Sequence, residues 1–147
     1  MIGAQLRAAA EAVHQAVYDR LAHAGHHHLR PSHLALLKFP GPHGSRPTEL
    51  AARVGLRKQA LNPLLNDLEE LGYLQRTSDD EDRRGRILWL TPRGMSLMRI
   101  MRETLEEVEG QLIERLGAAG LRDFQLTLGL VGEIAREVAG SPEVIPS

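Results

Sequence analysis

Apolar residues in the first two dozen positions fall on one helical face. Ile2, Leu6, Val13, Val17 and Leu21 recur at helical spacing, with alanines between them. The pattern predicts a helix from Ile2 to about Ala24, stopped by Gly25. A second helix is expected from Ser32 to about Lys38, with Pro31 in its first turn and Phe39-Pro40-Gly41-Pro42 ending it. Pro47 opens a third helix through Val54, closed by Gly55, and a fourth runs from about Arg57 to Leu71 before Gly72. Leu61, Leu64, Leu65, Leu68 and Leu71 mark the buried face of the fourth. The period then shortens. Tyr73–Thr77 and Arg86–Leu90 read as two strands joined by a charged tip, Ser78 to Gly85.

Thr91-Pro92 reads as an N-cap followed by proline at the first helical position. The helix beyond it carries Met98, Met101, Leu105, Val108 and Leu112 at alternating three- and four-residue steps. Gly117–Gly120 is expected to break it. A last helix, about Leu121 to Val138, places Phe124, Leu128, Val131, Ile134 and Val138 on one face, and the tail from Gly140 to Ser147 is expected to be loose. The fold class is therefore mainly α with a small β-hairpin (α+β).

Composition narrows the function classes. Hydrophobic residues make up 42% of the 147 positions and charged residues 25%, which excludes global disorder. No apolar run is long enough to span a bilayer, and Arg7 and Glu11 interrupt the apolar residues of a leader-like start. The chain is read as cytoplasmic, with no membrane partner. Cysteine is absent, which removes disulfides, thiolate metal sites and cysteine nucleophiles together. No Gly-rich phosphate loop, His-Glu-x-x-His helix or Gly-x-Ser-x-Gly turn occurs, so neither an enzyme nor a bound cofactor is expected.

The net charge of −1 at first argues against nucleic acid, but the charge is unevenly spread. Residues 46–93 hold nine Lys/Arg and eight acids, whereas 94–147 hold five and nine. Two stretches, Arg53–Asn66 and Arg83–Arg102, are basic and free of acids. Local charge decides where a phosphate backbone docks.

The order helix, glycine turn, helix, hairpin is that of a helix-turn-helix with a wing. Thr48-Glu49-Leu50-Ala51, Gly55-Leu56, Leu68-Glu69, Leu71-Gly72-Tyr73, Asp82-Arg83-Arg84 and Leu90-Thr91-Pro92-Arg93-Gly94 occur in order and at matching spacings. In this ordered set the chain resembles the MarR (multiple antibiotic resistance regulator) family over residues 29–98. The early recognition helix, Lys58-Gln59-Ala60-Leu61, is similar to one branch of that family.

The resemblance implies a winged helix-turn-helix transcription regulator, acting on double-stranded DNA as a homodimer. It implies one MarR-like domain over 1–147, with dimerisation helices at about 1–30 and 94–140. The DNA-binding lobe is expected at about 31–93. A repressor on a pseudo-palindromic operator, released by a small aromatic or anionic effector, is the expected function. Arg84 matches the wing arginine that enters the minor groove, and Asp82 the aspartate that orients it. Arg83 and Arg86 are candidate phosphate contacts.

On the recognition helix, Arg57, Lys58, Gln59 and Asn62 are candidate DNA contacts. Gln and Asn can bond adenine bidentately, and lysine can reach guanine or phosphate. Pro63 departs from the family pattern. Either the helix kinks there, or its regular part begins later, near Ala60.

His23, His26, His27, His28 and His33 lie within eleven residues. His23, His27 and His28 are candidate metal ligands or proton sensors, but Gly25 separates them and no thiolate is available. Polar loop histidines are the plainer expectation. A metal- or pH-responsive regulator, or a winged-helix module that binds protein, remains the alternative function.

Overall fold

The computed structural model describes residues 1–38, 40–41 and 43–140. The chain divides into two compact units, residues 1–104 and 105–147. The expected loose tail beyond Gly140, together with Phe39 and Pro42 of the expected helix stop, lies outside the described residues.

In the first unit, α1 (Ile2–His23), α2 (Pro31–Leu37), α3 (Pro47–Val54) and α4 (Lys58–Glu70) precede strands β1 (Leu74–Ser78) and β2 (Arg86–Leu90). The final helix, α5 (Pro92–Gly140), starts in this unit. The leucines expected on the inner face of α4 form its centre: Leu61, Leu65 and Leu68 are fully buried, and Leu64 and Leu71 pack beside them. Around them lie Leu50 from α3, Leu34, Leu36 and Leu37 from α2, and Val17 and Leu21 from α1. Tyr73, Leu74, Leu88, Leu97 and Met101 complete the cluster. Each fully buried leucine contributes about 1.5–3 kcal/mol relative to exposure, so this aliphatic cluster compensates for the scarcity of aromatic residues. Met98, partly buried, packs against the same cluster.

The turn between α3 and α4 places Gly55 at φ 67°, ψ 27°, a left-handed conformation that side chains with a Cβ resist. Leu56 N–H then closes back on the Ala51 carbonyl at 3.1 Å. This tight turn sets the second helix across the first.

β1 begins one residue later than the alternation suggests, because Tyr73 N–H is used to close α4 on the Leu68 carbonyl at 2.8 Å. The two strands are antiparallel, pairing Leu74 with Leu90 and Ser78 with Arg86. Ser45 adds a bridge on the other side of β2, exchanging hydrogen bonds with Leu88 at 3.0 and 2.8 Å. Thr91 caps α5 as expected: its Oγ1 accepts the Gly94 N–H at 3.1 Å and donates to the Gly72 carbonyl. An added Cβ at Gly94 would run into the Tyr73 carbonyl, so only glycine fits that first turn.

Helix α5 carries one non-helical residue, Gly117 at φ 72°, ψ 163°, a region open essentially to glycine alone. The expected break over Gly117–Gly120 is thus confined to its first residue. Within the second unit the large apolar residues Leu116, Phe124, Leu126, Leu130, Ile134 and Val138 stay exposed. Among the described residues no helix is long and apolar enough to cross a membrane.

Candidate nucleic-acid interface

Helix α4 begins at Lys58, with the Arg57 carbonyl accepting the N–H groups of both Ala60 and Leu61 at 3.0 Å. A start near Ala60 is therefore not what forms, because the first turn is already closed before that residue. Pro63 lies inside the helix, and its missing N–H leaves the Gln59 carbonyl without its helical donor. Lys58, Gln59, Asn62 and Pro63 are all exposed, Gln59 and Pro63 opposite the buried leucines and Lys58 and Asn62 to one side, and Arg57 is exposed at the N-cap position.

The hairpin tip is organised from within. Asp82 accepts the Arg84 backbone N–H at 3.0 Å through its carboxylate, and its carbonyl accepts the Gly85 N–H at 2.8 Å. The aspartate was expected to orient the arginine side chain. The bond actually formed is to the arginine backbone, so Asp82 shapes the turn from which Arg84 projects. Arg83, Arg84 and Arg86 are exposed, and Arg86 Nη1 donates to the Gly85 carbonyl at 3.0 Å.

Two residues that sequence reasoning passed over join this tip to the helix-turn-helix. Arg46 precedes α3 and donates from Nε to Asp79 at 2.7 Å and from Nη2 to Glu81 at 2.8 Å. Asp79 is only 4% exposed, and its carboxylate also accepts the Glu81 N–H at 3.0 Å. The Arg46 guanidinium first, and then the Glu81 N–H, hold Asp79 below the usual carboxylate range. The two carboxylates push Arg46 above its ordinary value. In the sequence both acids belonged to an undifferentiated charge run.

Between the wing and the helices lies a groove of about 420 Å³. It brings together Lys58 and Asn62 from α4, Arg84 and Arg86 from the wing, and Arg76 from β1. Arg46 is paired with Asp79 and Glu81 and Arg76 with Glu69, which leaves Lys58, Arg84 and Arg86 facing Asp82 there. Such a surplus in one concave strip is what attracts a phosphate backbone. Gln59 does not line this groove; it lies on the outward face of α4 with Pro63 and Asn66. Asn66 was not anticipated, and its Oδ1 accepts from Arg76 Nη2 at 2.9 Å.

The histidines scatter. His23 contacts the Asp19 carbonyl at 2.6 Å, and the His27 and His28 rings meet edge-on with centroids 6.3 Å apart. His26 and His33 are buried, contrary to the expectation of polar loop residues. His33 Nδ1 accepts the Arg30 N–H at 3.1 Å, which leaves Nε2 to face Asp67 at 3.2 Å. His26 faces the Tyr73 hydroxyl at 3.0 Å. Among the described residues no three His, Asp or Glu side chains gather as a metal-binding group.

Comparison with known proteins agrees with this architecture. Residues 29–85, which contain α2 to the wing tip, match the MarR family model. No curated protein matches the chain. Among solved structures, a transcriptional regulator from Thermotoga maritima is 26% identical, with a TM-score of 0.60 over 95% of this chain and 98% of the other. The repressor CouR bound to a 23-mer DNA duplex is 26% identical, with a TM-score of 0.67 over 92% of each chain. FabT of Streptococcus pneumoniae in complex with DNA shares the fold, with a TM-score of 0.74 over 93% of this chain and 96% of the other at 17% identity. The helix-turn-helix and most of the wing thus match the MarR family model, and along nearly its whole length the chain is similar to transcription regulators of known structure.

Proposed function

We propose that this chain is a transcription regulator that binds double-stranded DNA sequence-specifically as a homodimer, and that it represses its target. One observation carries the reading: the groove that unites Lys58 and Asn62 with Arg84 and Arg86. In this reading α4 enters the major groove, where a helix fits and base edges can be read. Arg84 reaches the adjoining minor groove, whose negative potential favours arginine. Arg57, Arg83 and Arg86 contact phosphates, and Asp82 holds the turn that presents Arg84. CouR and FabT are both solved on DNA.

The homodimer reading rests on the exposed apolar side chains of the second unit, too many for a soluble monomer to leave uncovered. Two copies about a two-fold axis would present recognition helices about 34 Å apart, matching half-sites one helical turn apart. Release by a small aromatic or anionic effector completes the proposal; CouR from Rhodococcus jostii is solved with p-coumaroyl-CoA.

Affinity measured against salt on mixed-sequence duplex tests the reading. Log affinity should fall with log salt by about 0.9 per phosphate neutralised. A protein-binding module or an enzyme would show weak, nearly salt-independent association.

A further inference from the structure

We propose that Pro63 is a specificity-determining residue of the recognition surface, reading thymine through contact of its ring with the 5-methyl group. The inference rests on the DNA-binding reading above.

Position comes first. Leu61, Leu65 and Leu68 are fully buried and define the inner face of α4. At about 3.6 residues per turn, the line directly opposite runs through Gln59, Pro63, Asn66 and Glu70. All four are exposed. Pro63 therefore stands at the centre of the outward face, whereas Lys58 and Asn62 sit toward the wing-side groove. Glu70, at the far end, repels phosphate, and Asn66 is engaged by Arg76. The part of this line left to meet bases is Gln59 and Pro63.

The chemistry of that centre is apolar. The proline ring has no donor or acceptor, and the exposed Ala60 methyl lies one turn before it. Of the groups that base pairs present in the major groove, only the thymine 5-methyl is apolar. Gln59 and Asn62, beside the spot, are suited to adenine N6 and N7. The four side chains together match A·T pairs.

The proline also breaks a local rule without a packing gain. It removes the amide that the Gln59 carbonyl would accept, yet it is exposed and adds nothing to the core. Departures of this kind concentrate where a sequence serves function rather than folding.

The test enriches duplexes from a random library with the full chain. Each thymine of the enriched operator is then replaced singly by deoxyuridine, which removes only the methyl. Binding is measured for the parent, Pro63→Ala and Pro63→Gln. Both variants restore the helical amide, so loss of folding does not confuse the result. The parent should lose about fourfold affinity at one thymine per half-site. That penalty should shrink toward onefold in the variants, as a coupled pair requires.

An equal deoxyuridine penalty in all three proteins overturns the inference, as does an operator with no methyl-sensitive thymine. Weaker binding by the variants with the penalty intact also overturns it, because proline would then only shape the helix. If nothing is enriched, the DNA-binding reading itself fails and the inference falls with it.

Discussion

Arg46 Nε lies 2.7 Å from Asp79 Oδ2, across 33 residues of chain, and this contact ties the wing to the start of α3. The carboxylate is buried while the guanidinium remains half exposed to solvent. Glu49 accepts the Arg46 N–H at 3.2 Å, so the same residue also sits in the capping arrangement of α3. The wing and the first helix of the helix-turn-helix thereby share one support.

That tie gives the first prediction. Asp79→Asn should weaken it, and hydrogen-exchange protection of the Glu81 and Arg84 amides should fall on the order of tenfold. Helical circular dichroism should hardly change. Because the folded pKa of Asp79 lies below its unfolded value, the stabilisation is present above about pH 4 and is lost as pH falls through the folded pKa. Unchanged protection in the variant would show that the wing holds its place without Arg46.

The second prediction separates the two wing residues. Arg84→Ala should weaken operator binding by about 1–3 kcal/mol, roughly five- to 150-fold, with thermal stability unchanged because the side chain is exposed. Asp82→Ala should weaken binding less, by loosening the turn that accepts the Arg84 N–H. Quantitative gel shift on both variants checks the order. Parent-like binding by Arg84→Ala removes the minor-groove role.

His26 supplies a pH dependence. Burial first, then the nearby Arg93 and His27, hold its ring below the usual histidine range. The bonding pattern fits a neutral ring: Arg93 Nη2 donates to the Tyr73 hydroxyl at 3.3 Å, leaving that hydroxyl free to donate to His26 Nδ1 at 3.0 Å. A depressed folded pKa means this stability is present above the unfolded value of about 6.5 and is lost as pH falls through the folded pKa. Tm should drop between about pH 7 and pH 5, and His26→Gln should flatten that drop. The same slope in parent and variant would acquit His26.

The fourth prediction concerns assembly. Leu126 is 73% and Leu130 54% exposed within the second unit. If a second copy covers them, the parent sediments at twice the chain mass, and Leu126→Glu with Leu130→Glu shifts it toward monomer. A parent that stays monomeric at high micromolar concentration refutes the homodimer.

Much of the fold was legible in the sequence because its signals are local. The leucine spacing of Leu61, Leu65 and Leu68 settles which face of α4 is buried, whatever packs against it. Gly55 and Gly117 mark a turn and a helix break because glycine adopts such backbone angles at least cost. Thr91 caps α5 through a bond three residues away. The ordered motifs of the helix-turn-helix and wing were sufficient to indicate the family.

What the tertiary structure decided are the pairings that depend on distant chain meeting in space. Nothing local distinguishes Asp79 from its neighbours Asp80, Glu81 and Asp82; only the arrival of Arg46 selects it for burial. His26 and Tyr73 lie 47 residues apart, so the loop after α1 had to meet the junction of α4 and β1 before that histidine could be buried. Pro63 read as a disturbance of α4 until the buried leucines placed it at the centre of the outward face. Periodicity and turn chemistry are written in neighbouring residues. The partner of a charge, or the groove a side chain faces, is set only when the elements pack.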